Sequence, residues 1–164
     1  MDAYARFLAQ SMDLTPVGFL VDHDPLPYFC TPKDAVILGR AGVDGIHFCT
    51  VPDFGEMIFA VSPMNDVPEL VRPMAKDFTD FLRLLLSCGD TAVIEQAWMW
   101  SAEQFAAFVA ENPPTPEGRA VLDTLAEQMQ LTPMEEPFVY IRDLQAGFDL
   151  GKIPVTEEYY ETVG

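Results

Sequence analysis

The spacing of hydrophobic positions changes along the chain, and each change marks a new kind of element. Tyr4, Phe7, Leu8 and Met12 recur at helical spacing, which predicts a short amphipathic helix within residues 1–12, interrupted at Thr15-Pro16. Prolines at 25, 27 and 32 then predict an irregular loop over 22–33. Beyond it the apolar residues come in short unbroken runs, Ala35–Leu38, Ile46–Val51 and Met57–Val61. Turn residues bound each run: Gly39, Asp44-Gly45, Pro52-Asp53-Phe54-Gly55 and Ser62-Pro63. Runs of that length with such punctuation predict neighbouring antiparallel strands. Leu70–Met74 predicts a fourth strand, at an edge because Pro73 has no amide proton for a ladder.

At Asp77 the period turns helical. Asp77 is placed to cap, Asp80 lies in the first turn near the positive end of the helix dipole, and Gly89 supplies the stop. Between them Phe78, Phe81, Leu82, Leu84, Leu85 and Leu86 form a broad apolar face running to Cys88. Thr91–Trp98 predicts another turn or two of helix. Ser101 with Gln104 forms a capping box that opens a further helix through Phe105, Phe108 and Val109, closed by Pro113-Pro114. Residues 116–130 predict a helix with Val121, Leu122, Leu125 and Met129 inward, and Phe138-Val139-Tyr140-Ile141 is read as extended. The expected fold is one α+β domain over 1–164, with a mostly antiparallel central sheet and helices packed against it. A chain of 164 residues buries roughly 70% of its unfolded surface and needs no metal or disulfide for stability.

Charge narrows the choice of partner. Asp and Glu number 26 against 9 Lys and Arg, a formal net charge of −17, and the excess recurs in every quarter of the chain. Such a surface repels phosphate backbones and anionic headgroups, so the expected partners exclude nucleic acid and membrane. It speeds the approach of a basic protein. Cys30, Cys49 and Cys88 form no CxxC pair and leave one thiol over in any pairing, which with no secretory leader or long apolar span in the sequence predicts a reducing, cytoplasmic setting.

Chemistry is scarce. His23 sits in Asp22-His23-Asp24, which with Cys30 in the same loop is the only metal candidate, and the reading adopted is a solvated loop without metal. His47 alternates with apolar residues in a strand and reads as a hydrogen-bonded sheet residue. No GxSxG elbow, phosphate loop or GxGxxG occurs, and Asp53 with Glu56 is one chance pairing among many acids. Trp98 and Trp100 read as packing. No catalytic residue and no cofactor is expected.

Gly42-Val43-Asp44-Gly45-Ile46-His47-Phe48, then Met57–Met64, then Ala75 and Asp77-Phe78-Thr79-Asp80-Phe81-Leu82 follow an order that resembles the SUKH superfamily of fungal cell-wall-assembly regulators and their bacterial relatives. The resemblance covers roughly residues 35–110, with Gly89-Asp90 through Phe105 similar to bacterial members. It implies an α+β fold without catalytic residues, with 111–164 as a subfamily-specific helical or extended addition. It also implies an immunity protein that binds and neutralises a toxin, such as a nuclease or deaminase, whose basic surface would suit this acidic one. The alternative task is an intracellular scaffold that recruits a cellular protein. A third, an enzyme or metal protein, would have to use Asp22, His23, Asp24 and Cys30. Candidate contacts are the turns projecting from the sheet: Asp44, Asp53, Phe54, Glu56, Asn65, Asp66 and Glu69, chosen as acids in loops around one exposed aromatic.

Overall fold

The computed structural model describes residues 2–163. Four strands, β1 (Val36–Arg40), β2 (His47–Thr50), β3 (Ile58–Val61) and β4 (Val71–Ala75), form one sheet in sequential order with every pair antiparallel. Before it comes α1 (Ala3–Ala9). After it come α2 (Phe78–Cys88), α3 (Thr91–Gln96), α4 (Ala102–Glu111), α5 (Pro116–Met129), α6 (Pro137–Ala146) and α7 (Glu157–Val163). The molecule is an α+β fold, and no helix among the described residues is long and apolar enough to cross a membrane.

The strands read as unbroken apolar runs because both faces of the sheet are covered. Side chains alternate across a strand, so Phe48, Ile58, Ala60 and Met74 point into one core while Cys49, Phe59, Val61 and Val71 point into another. The first core is large. Phe7, Phe19, Phe48, Phe78 and Phe81 interlock there with ring centroids 5.2–6.2 Å apart, and Leu122, Leu125 and Ile141 from α5 and α6 join them. The second is small, closed by Cys30 from the 22–35 loop and by Phe148, Leu150 and Ile153 from the segment after α6. Residues 116–163 therefore contribute to the same two cores as the first two-thirds of the chain.

The helix starting after Asp77 forms as its sequence demands. Asp77 accepts the Asp80 amide at 2.8 Å, and Gly89 closes the helix in the left-handed region with its amide on the Leu85 carbonyl at 2.8 Å. Both sides of the predicted capping box at Ser101 and Gln104 are made.

Two expectations change. Phe138-Val139-Tyr140-Ile141 is helical, the first turn of α6. Pro137 stands at its first position, and Ile141, three residues after Phe138, turns into the core against β4. Residues 157–163 also form a helix. Leu8 faces solvent, because Tyr4 and Phe7 occupy the core side of α1 and Leu8 lies about 100° further round. Strand β4 does lie at an edge, but α6 covers it, and Gln145 Nε2 donates to the Pro73 carbonyl at 3.2 Å.

Candidate partner-binding surface

A sequential antiparallel meander sends its first and third connections to one end of the sheet and its second to the other. The candidate contacts are split accordingly. Asp44 on the β1–β2 turn shares an end with Asn65, Asp66 and Glu69 on the β3–β4 connection. Asp53, Phe54 and Glu56 on the β2–β3 turn lie at the opposite end, roughly 13 Å away along a four-residue strand.

The end that carries Asp44 is rigidly built. Gly42, Asp44 and Gly45 all have positive φ, 86°, 53° and 71°, so the hairpin turns tightly and lifts Val43 and Asp44 at its tip. The Ile46 amide closes the turn on the Val43 carbonyl at 3.0 Å. The 22–31 loop packs beside the tip through His47. Its Nδ1 donates to the Gly45 carbonyl at 2.8 Å, which leaves Nε2 to accept from the Thr31 hydroxyl at 2.9 Å. Thr31 Oγ1 in turn accepts the Tyr28 amide at 2.8 Å, and the Tyr28 ring stacks on the imidazole. Burial holds the His47 pKa below its ordinary value of 6.5, against the Gly45 bond that raises it. His47 is thus a structural clasp, as its place in the strand implied.

Between loop and hairpin lies a cleft of about 220 Å³, lined among others by Leu26, Tyr28, Val43, Asp44 and Ile46. Leu26 is 77% exposed and Val43 61%, and on the neighbouring connection Met64 and Val67 are exposed too. Asp24, Asp44 and Asp66 stand exposed among them, while Arg40, the one base of the cleft, is paired with Asp22 at 3.3 Å. Apolar side chains on a rigid frame, rimmed with acids, have the composition of a protein-recognition surface.

The β3–β4 connection is anchored from below. Arg72, 1% exposed on β4, donates through Nη2 to Ser62 Oγ at 3.0 Å and to Glu95 Oε1 at 3.1 Å, and through Nη1 to the Glu69 carbonyl. Trp98 covers the guanidinium at 5.3 Å. Asn65 Nδ2 donates to the Glu69 carbonyl at 2.9 Å, so the Asn65 carboxamide braces its own loop. Glu69 is half-buried and its backbone takes Arg72. Asp66 alone of the three is exposed.

Phe54 corrects the expectation of an exposed aromatic. It is half-buried, its ring 5.6 Å from Phe59 and 5.1 Å from Phe148, and it closes the edge of the second core. Sequence spacing placed it in a turn, and only the return of Phe148 to the sheet covers it. Asp53 and Glu56 remain exposed on either side.

Sequence reasoning passed over Leu26, Tyr28 and Val43. Their signal was present: apolar residues set between prolines in a polar loop, and one at the tip of a Gly-x-Asp-Gly turn. The metal candidates are drawn apart, with Asp22 on Arg40, His23 in solvent and Cys30 inside the second core, its thiol pushed by burial to about 11. Among the described residues no group of three or more His, Cys, Asp or Glu is placed to hold a metal. No protein-family model matches the chain, and neither the curated proteins nor the solved structures gave a match.

Proposed function

We propose that this chain is a non-catalytic protein-binding domain of the SUKH kind, an immunity protein that neutralises a basic toxin domain by covering its active surface. The observation that carries the reading is the placement of charge. Glu95 is the one buried carboxylate among the described residues and is paired with buried Arg72, so the formal charge of −17 lies at or near the surface over the whole fold, with Asp24, Asp44 and Asp66 exposed at the end that carries the apolar cleft. An inhibitor of a nuclease or deaminase gains from such a surface, because it imitates the charge of the polyanionic substrate and is steered onto the basic site. Asp44 and Asp66 at the hairpin end act as contacts, with Leu26 and Val43 as apolar anchors. The same sign of charge supports a partner other than nucleic acid or membrane, and three unpaired, buried thiols support a cytoplasmic setting.

The test is an affinity pull-down from the native host followed by kinetics with the recovered protein. A stoichiometric basic toxin domain is expected, with association slowing about tenfold or more from low to high salt. Asp44→Lys should slow it further while leaving the fold intact. The second reading, a scaffold for a cellular protein, draws on the exposed Leu26, Val43, Met64 and Val67. It requires association nearly indifferent to salt, and a cytosolic regulator recovered on those terms would displace the toxin reading.

A further inference from the structure

The cleft beside the β1–β2 hairpin holds one unpaired carboxylate. Of the two acids that line it, Asp22 is occupied: Oδ2 pairs with Arg40 Nε at 3.3 Å, and Oδ1 accepts the Asp24 amide at 3.1 Å. Asp44 is exposed and, among the described residues, takes no ion pair. Much of the wall around it is apolar. Leu26 is held between Pro25 and Pro27, whose rings restrict the backbone on either side, and Tyr28, Val43 and Ile46 extend the lining. The Tyr28 ring stacks on the His47 imidazole and is still 47% exposed. That stack and the bonds from His47 to Thr31 and Gly45 hold loop and hairpin together, so the cleft is formed before anything enters it.

We infer that this cleft takes a single arginine side chain presented by a protein partner, its stem against Leu26, Val43 and Ile46 and its guanidinium at Asp44. The inference rests on the proposal that the hairpin end is the partner-binding surface, and it names the group that enters there. The free carboxylate selects a cation, and the apolar wall selects one that gives up water readily. Arginine meets both conditions better than lysine. Its guanidinium is planar and weakly hydrated, stacks on aromatic rings such as Tyr28, and meets a carboxylate through two parallel N–H donors. Arg40 does not turn such a side chain away, because Asp22 offsets its charge. An acidic side chain would find Asp44 and no free base. A second copy of this chain, itself at −17, is opposed by the same field.

The probe is arginine capped as its N-acetyl methylamide, titrated into the ¹⁵N-labelled full chain. Millimolar binding is expected of one side chain, with amide shifts at Leu26, Tyr28 and Val43–His47. Capped citrulline, which keeps the shape without the charge, should bind about tenfold more weakly, with capped lysine between the two. Asp44→Asn should lower arginine affinity about tenfold and leave the thermal melt unchanged, since asparagine also tolerates the positive φ at 44. Asp66→Asn, outside the cleft, should change affinity by less than about twofold. No binding at millimolar probe would overturn the inference, as would citrulline or lysine that binds as tightly as arginine. So would equal losses from Asp44→Asn and Asp66→Asn, which would reduce the effect to a general attraction toward an acidic surface. A probe that fails removes the arginine but leaves the toxin reading to the pull-down, and a host without a toxin partner does the reverse.

Discussion

The two faces of the sheet are covered by different materials. Under Phe48, Ile58, Ala60 and Met74 lies a helical layer in which α2 alone buries Phe78, Phe81, Leu82, Leu84 and Leu85. Under Cys49, Phe59, Val61 and Val71 lie a loop and a C-terminal segment, whose Phe148, Leu150 and Tyr159 are only partly buried. Apolar burial stabilises in proportion to area. The helical face therefore carries most of the stability, and the thin face opens first when the molecule loosens locally. The cleft at the hairpin end shares the 22–31 loop with this thin cover, so local opening there would also move Leu26 and Tyr28.

The largest effect should come from the helical face. Phe81→Ala removes a fully buried ring from the aromatic cluster and is expected to lower unfolding free energy by about 4 kcal/mol in denaturant titrations. Phe148→Ala, on the thin face, should lower it by only about 1–2 kcal/mol. Equal losses would erase the distinction. Next comes the tie between helical layer and loop. Glu95→Ala leaves the Arg72 guanidinium buried without its carboxylate and should cost about 3 kcal/mol. Pairing Glu95→Leu with Arg72→Met should recover most of that, and failure to recover would mean that the Arg72 bonds to Ser62 and Glu69 matter more than the charge.

The smallest effect concerns His47. Its folded pKa lies below 6.5 because burial disfavours the imidazolium, so the unfolded chain binds the proton more readily. The stability this neutral histidine supplies is present above pH 6.5 and is lost as pH falls from there through the lower folded value. Compared with His47→Gln, the natural chain should lose stability faster on acidification across that window. NMR titration of the ring should place its midpoint below 6.5, and a midpoint above would reverse the sign.

Much of the fold was legible in the sequence because local signals and tertiary structure agree there. Asp77, Gly89 and the Ser101–Gln104 box mark helix ends through backbone chemistry that operates within a few residues. The four strands fall within a residue or two of their apolar runs. What failed depends on distant partners. Val139, Tyr140 and Ile141 have strand-like propensities, and α6 is helical because it packs on β4, some seventy residues earlier. Phe54 looked exposed because Phe148, which covers it, lies nearly a hundred residues on. Arg72 gave no sign of burial, since Glu95 and Ser62 reach it only in three dimensions. Of the candidate contacts, Asp44, Asp53, Glu56 and Asp66 kept their exposure, but the sheet order that separates them into two ends could not be read from turns alone.

The close approach of Tyr28 to the hairpin has a consequence for variation over time. A Cβ on Gly45 would lie 2.9 Å from the Tyr28 ring, and Gly42 holds a conformation that other residues rarely adopt. Positions 42 and 45 are therefore barred to almost every side chain, and 44, itself at φ 53°, favours Asp, Asn or Gly, while 43 between them is open. Residue 43 could change freely over time and never disturb the frame that displays it.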